Sequence, residues 1–168
     1  MIRSALAALL LVAACAPAPE PGPAPSSPPG QAAPAAVEAP PGTDVFLAPL
    51  AMGGGGISIG EAANLTRRAG YDNQPAFTHD GTAILFTRID AAGQADVYRY
   101  GITSETIRRV TATPESEYSP TPLPGGGFSA VRVEADSTQR LWRFAADGST
   151  PRLVLADVVP VGYHAWVD

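Results

Sequence analysis

Aromatic and aliphatic residues recur at every second position in short runs along this chain, as in Ala95-Asp-Val-Tyr-Arg-Tyr100 and Gln139-Arg-Leu-Trp-Arg-Phe144. In the first run, alternation puts Tyr98 and Tyr100 on one side of a strand and Val97 and Arg99 on the other. Runs of this kind are bounded by Gly, Asp and Pro, which end strands and make turns. After the first fifteen residues, no run of ten or more keeps the 3.6-residue apolar period of a helix. The pattern predicts an all-β chain.

The runs also repeat. Gly70-Tyr-Asp-Asn-Gln-Pro-Ala-Phe-Thr-His-Asp-Gly81 is followed by an edited copy, Glu117-Tyr-Ser-Pro-Thr-Pro-Leu-Pro-Gly-Gly-Gly127, and by a third that opens Gly162-Tyr-His-Ala-Trp-Val-Asp168. Pro75, Pro120 and Ala165 stand 45 residues apart in succession, the period expected of propeller blades. The first unit parses as strands over 75–78, 83–88, 95–100 and 105–110, and the second over 119–123, 128–134, 139–144 and 151–155. Asp80-Gly81 and Asp147-Gly148 supply tight turns, because glycine accepts the positive φ such turns require. Ahead of them, 44–50 reads as a short strand, Gly53–Gly56 as a flexible hairpin loop and 64–66 as a closing strand. No Gly-Lys-Ser/Thr follows the four glycines, so they do not make a phosphate loop. The expectation is a partial β-propeller of four-stranded antiparallel blades, about two and a half blades: the last half of one, two whole units and the first strand of another. A closed propeller has four to eight blades. The sequence therefore reads either as a fragment of a longer protein or as a domain completed by a second chain.

The N-terminal 42 residues are unlike the rest. Residues 1–14 carry a single charge, Arg3, and an apolar run from Ala5 to Ala14, the pattern of a signal peptide. The run ends Leu11-Val-Ala-Ala-Cys15, which resembles the bacterial lipobox and implies cleavage before a lipidated Cys15; an ordinary secretory site at Ala14-Cys-Ala16 is the alternative. Cys15 is the only cysteine, so no disulfide forms within one chain. Residues 15–42 make a tether: ten of the 27 residues after Cys15 are proline, the rest mostly Ala, Ser, Gly and Gln. Such a segment buries no core and stays extended, reaching up to roughly 80 Å in polyproline II form. The expected location is the cell envelope, held to a membrane through the lipid. With Ala16 rather than aspartate after the cysteine, the resemblance to sorted lipoproteins points to the periplasmic face of the outer membrane.

Charge narrows the partners of the repeat region, 43–168. It carries ten arginines, no lysine and fourteen acids, a balance that makes nucleic acid an unsuitable partner.

Asp72-Asn-Gln-Pro-Ala-Phe77 with Asp80-Gly81, and Glu117-Tyr-Ser-Pro120 in its first half, resemble the TolB-like and related WD-type β-propeller repeats, in which Asn/Tyr-x-Pro-x-Phe and then Asp-Gly open each blade. The second copy departs from the pattern at Pro122 and Gly125-Gly126, and the third has Ala165 in place of proline. The resemblance covers about 43–168 and implies an exported bacterial propeller.

The residues entering each inner strand should then meet at one mouth of the central channel: Tyr71, Asp72 and Gln74, then Glu117 and Tyr118, then Tyr163 and His164. They either bind a ligand there or bond the neighbouring blade and hold the ring together. Only His79 and His164 are histidines, and neither has metal-ligand spacing, so no metal or other cofactor is expected. No Gly-x-Ser-x-Gly elbow occurs and no catalytic constellation stands out. Two functions remain: a lipid-anchored envelope module that binds or scaffolds a protein, peptide or glycan, or the propeller portion of a hydrolase, either a prolyl-oligopeptidase-like gating domain or a sugar or lactone hydrolase.

Overall fold

The computed structural model describes residues 40–167 of the chain. The expected signal peptide, Cys15 and the tether as far as position 39 lie outside the described residues. Within them all regular structure is extended, with twelve strands and no helix.

Two four-stranded antiparallel sheets form the body. The first runs in spatial order β5 (Asp72–Phe77), β6 (Ala83–Ile89), β7 (Ala95–Gly101), β8 (Thr106–Arg109). The second repeats it with β9 (Ser116–Pro122), β10 (Phe128–Val133), β11 (Gln139–Phe144) and β12 (Arg152–Leu153). Each is a simple meander, as expected of a blade, and the inner strands β5 and β9 lie against each other.

Ahead of the first blade, β1 (Phe46–Leu47) pairs with β4 (Ala63–Asn64), and the hairpin β2 (Leu50–Gly53) and β3 (Gly56–Ile59) is inserted between them. This pair is the outer half of a blade, as its hydrogen bonds show. The Val45 N–H donates to Thr66 Oγ1 at 3.1 Å and the Thr66 hydroxyl donates to Asp44 at 2.8 Å. In the next blade the Val97 N–H donates to Thr111 Oγ1 at 2.9 Å, and that hydroxyl donates to Asp96 at 3.4 Å. An Asp-Val entering the third strand is locked by a threonine leaving the fourth, twice.

The alternation seen in the sequence is spent on sheet-on-sheet packing. On β6, Ile84 and Phe86 face the leading half-blade, where they bury Val45 together with Tyr100. Leu85, on the other side of the same strand, packs with Val97 and Val110 against Phe128, Ala130 and Phe144 of the second blade. The Phe128 and Phe144 rings stack at 5.1 Å. A third cluster joins Val131 and Leu141 to Val161. Each large side chain buried in this way contributes about 1.5–3 kcal/mol, so the junctions rather than the ladders hold the blades in line.

Both inner strands carry a bulge. Register slips between Asn73 and Ala76 on β5, and on β9 opposite Ser129 to Val131. Gln74 and Ser119 sit at the slips with φ of 56° and 52°, left-handed values rare for residues with a Cβ.

Three expectations are corrected. Gly53 and Gly56 are paired within the β2–β3 ladder, leaving Gly54-Gly55 as a two-residue turn that Gly56 closes at a φ of 117°, a value only glycine adopts readily. The closing strands are shorter than read, at 63–64 and 152–153. Residues 161–167 form no strand, although Val161 donates its N–H to Gln139 O at 3.0 Å.

Candidate functional site

Strands in a blade alternate in direction. The links from a fourth strand to the next first strand therefore open on one rim, and the turns within β5–β6, β7–β8 and the hairpin β2–β3 on the opposite one. Tyr71, Asp72, Glu117 and Tyr118 stand where β5 and β9 begin, on the first rim; Gln74 lies at the β5 bulge, and Tyr163 and His164 follow the last strand. The structure divides them into two groups.

Asp72 and Glu117 are fully buried. Arg88 donates Nε to one Asp72 oxygen and Nη2 to the other, both at 2.8 Å, and Arg68 Nε adds contacts at 3.1 and 3.2 Å. A two-pronged pair of this kind matches the flat guanidinium to the carboxylate and fixes orientation. Glu117 stands in the same place in the second blade. It receives Arg132 Nε at 3.0 Å and the Thr113 hydroxyl at 2.5 Å. Burial pushes its carboxyl above the ordinary value, against the opposing pull of Thr113, Thr111 and Arg132.

Each arginine also lies on aromatic rings of its own blade. The Arg88 guanidinium is 4.7 Å from the Tyr98 centroid and 5.4 Å from that of Phe86; Arg132 is 4.5 Å from Trp142 and 5.2 Å from Phe144. Acid, arginine and aromatic thus form one unit per blade, with Tyr98 and Trp142 in equivalent positions. Sequence reasoning missed the arginines. The signal was present: Arg88 and Arg132 recur 44 residues apart, and each lies directly across the ladder from its acid. With both carboxylates sealed in this way, Asp72 and Glu117 position the inner strands and have no open face for a ligand.

Gln74 joins the blades. Its side-chain oxygen accepts the Ser119 N–H at 2.9 Å, and Thr87 Oγ1 lies 3.2 Å from the same donor. The bulge at Ser119 frees that N–H from its ladder, and the previous blade satisfies it.

His164 is tied down as well. Its Nε2 is 2.6 Å from Ser129 Oγ, and the Trp166 indole N–H donates to that same oxygen at 2.8 Å. Burial lowers the pKa of the imidazole, and its Nδ1 is enclosed without a hydrogen-bond partner among the described residues. A serine and a histidine in contact raise the question of a nucleophile and base. Ser129, however, is fully buried, so its hydroxyl is closed to a substrate in this arrangement. The two residues are 35 apart in sequence with no shared motif, which is why the pair could not be anticipated.

Three tyrosines remain. Tyr71 and Tyr118 are half-buried, and Tyr163 is 83% exposed. They are close enough for their charges to interact: the Tyr71 phenol is raised above its ordinary pKa first by burial and then by Tyr163 and Tyr118. Tyr118 is steadied from below, across the ladder from Val131 and against the cluster of Val131, Leu141 and Val161. The entries of three successive units therefore supply three neighbouring phenols, of which Tyr118 is supported from below and Tyr163 is exposed. Such a surface suits a ligand carrying both apolar faces and hydrogen-bonding groups.

On the opposite rim a cleft of about 370 Å³ lies between the blades, lined by Leu85, Arg99, Arg108, Leu123 and Phe128 with His79 and Asp80 at the β5–β6 turn. Among the described residues no group of His, Cys, Asp and Glu is arranged to hold a metal ion.

No family model matches the chain, and no curated protein matches it. A solved structure from Agrobacterium tumefaciens, of a protein assigned as TolB, is similar, with a TM-score of 0.51 and 20% sequence identity over 64% of this chain and 44% of that one. The chain thus spans less than half the length of that structure. The likeness concerns the fold: an all-β, TolB-like partial propeller built of four-stranded antiparallel blades.

Proposed function

We propose that this chain is a lipid-anchored protein of the cell envelope whose propeller binds or scaffolds a protein, peptide or glycan through the tyrosine rim. The observation that carries the reading is that three successive repeat entries each supply a tyrosine with exposed surface, Tyr71, Tyr118 and Tyr163, near enough for their charges to interact. Tyrosine suits recognition because it offers a large rigid face and one hydrogen-bonding tip at low cost in side-chain entropy. Asp72, Gln74, Glu117 and His164 serve this surface indirectly, by fixing the strands that carry it.

Anchoring rests on Cys15 following the apolar run and preceding the proline-rich tether. Acyl chains contribute about 0.8 kcal/mol per buried methylene, so two or three of them hold a protein to a membrane. Location at the periplasmic face of the outer membrane follows from Ala16 after the cysteine.

The test is recovery of the envelope partner by chemical cross-linking of the full-length protein in its own cells, then quantitative binding by variants. Tyr118→Ala and Tyr163→Ala should each weaken binding by about five- to a hundredfold, the equivalent of about 1–3 kcal/mol. Equal binding by both folded variants would remove the rim from the account.

The contact between Ser129 Oγ and His164 Nε2 is the one observation that favours the hydrolase reading. A fluorophosphonate probe decides between them. Label on the full chain that disappears in Ser129→Ala would establish a reactive serine, whereas the buried geometry predicts none.

A further inference from the structure

The hairpin β2–β3 departs from everything else in the chain. Its register places Leu50 opposite Ile59 and Met52 opposite Ile57, with Ala51 opposite Ser58 between them. Alternation then puts all four large aliphatic side chains on one face and only small residues on the other. They are 61, 78, 69 and 74% exposed for Leu50, Met52, Ile57 and Ile59, and Phe46 at the root is exposed too. Among the described residues no other strand packs against β2 or β3. A Cβ built on any of Gly53, Gly54, Gly55 or Gly56 meets nothing within 4 Å, so the tip stands clear of the rest of the described chain. From Val45 to Gly60 there is not one charged residue, although acids and arginines punctuate every other strand region.

We propose that this hairpin dips into the interfacial layer of a lipid bilayer and is a second, non-covalent membrane contact of the protein. The proposal rests on the lipid-anchor reading for the nearness of a bilayer, which Cys15 and its tether would provide within about 80 Å. Three observations select lipid over other occupants. A second copy would have to make a dimer from four side chains, on the order of 400 Å² by the usual conversion of transfer energies, about half of what a stable interface buries per partner. A bilayer needs no complementary groove, so four side chains on a narrow ladder each gain independently. The charge-free stretch removes the groups that make entry costly. The hairpin's outer edges keep unpaired N–H and C=O groups, which excludes the hydrocarbon centre and sets the depth at the headgroup and acyl boundary. Because the hairpin opens on the rim opposite the tyrosines, such contact would leave the tyrosine mouth facing away from the membrane.

The experiment uses the full chain, purified from cells fed labelled palmitate, carrying Ile57→Cys modified with a polarity-sensitive fluorophore. Parent chain taken through the same modification gives the background from Cys15. It is mixed with vesicles of phosphatidylethanolamine and phosphatidylglycerol whose acyl chains are brominated near the headgroup. The expected result is a blue shift on vesicle addition and quenching by bromine, with vesicle-induced quenching reduced at least about tenfold by adding Met52→Asp, while far-UV circular dichroism shows the sheet retained. Palmitate label with a probe that stays water-exposed would overturn the hairpin contact and leave the anchor standing. Quenching without palmitate label would support the hairpin and remove the anchor. Shielding of the probe without vesicles, growing with protein concentration, would identify a second copy as the occupant and overturn the proposal, as would quenching unchanged by Met52→Asp.

Discussion

The two complete blades place a buried acid and an arginine at the same point and solve the resulting problem differently. In the first blade Asp72 is met by both prongs of Arg88 and by Arg68, so each of its oxygens has a partner. In the second, Glu117 offers one oxygen to Arg132 and Thr113, while its Oε2 and the Arg132 Nη2 are buried with no hydrogen-bond partner among the described residues. Glutamate is one methylene longer, which turns the carboxylate out of the two-pronged geometry. Buried ion pairs stabilise only when hydrogen bonds repay the loss of water. The comparison teaches that the same repeat position holds a fully paired acid in one blade and a partly paired one in the other, beside Tyr118.

The amide substitutions break this comparison most strongly. Asp72→Asn should cost about 3 kcal/mol in urea unfolding of the full chain, because it leaves two arginines facing a neutral group in a closed site. Glu117→Gln should cost about 1 kcal/mol or less, since the carboxylate it replaces is already poorly solvated. Equal losses at the two positions would mean that the blades are alike in energy despite their geometry.

The stitch between the blades should come next. Gln74→Ala leaves the Ser119 N–H with Thr87 Oγ1 alone and should cost about 1 kcal/mol. Adding Thr87→Val should cost more than the sum of the single changes, because only then is the N–H orphaned. Strict additivity would show that this donor finds another partner.

Acid titration sharpens the contrast with the smallest effect. The Glu117 carboxyl is raised by burial, so the folded protein holds that proton more tightly than the unfolded one. Its contribution to stability therefore increases as pH falls through its folded pKa toward the ordinary value of 4.5. Asp80 behaves oppositely: hydrogen bonds from Thr78 and Thr82 lower it to about 2, and its contribution is lost as pH falls from 3.8 toward that value. Unfolding followed from pH 7 down to 2 should show Glu117→Gln flattening the upper part of the profile and Asp80→Asn the lower. A Glu117→Gln profile that overlays the parent would show that this carboxyl is no more buried in solution than in the unfolded chain.

The blades were legible in the sequence because their cause is local. Asp80-Gly81 and the alternation around Tyr98 and Trp142 each act within one hairpin, and the second and third strands of both blades fall where they predict, whereas the inner strands begin three residues earlier than expected. What was not legible depends on contacts between hairpins. Asp72 reads as a channel-mouth residue until Arg88, sixteen positions on, is brought across the ladder. His164 reads as part of a channel until Ser129 and Trp166 close on it. The Gly53–Gly56 run masked a regular hairpin, although Leu50, Met52, Ile57 and Ile59 already showed period two on either side of a two-residue turn. Of the mouth residues, Asp72 and Glu117 are closed off by burial while the three tyrosines keep exposed surface, since an aromatic ring can be half-buried and still present its hydroxyl.

The claim that the tyrosine rim is the binding surface is tested most directly by placing a photoreactive amino acid, one position at a time, at Tyr118, Tyr163 and His79 in the full-length protein and irradiating intact cells. The account predicts that positions 118 and 163 capture the same envelope partner and that position 79, on the opposite rim, captures none of it. Capture at 79 with nothing at 118 or 163 would contradict it and move the site to the cleft beside Arg99 and Arg108.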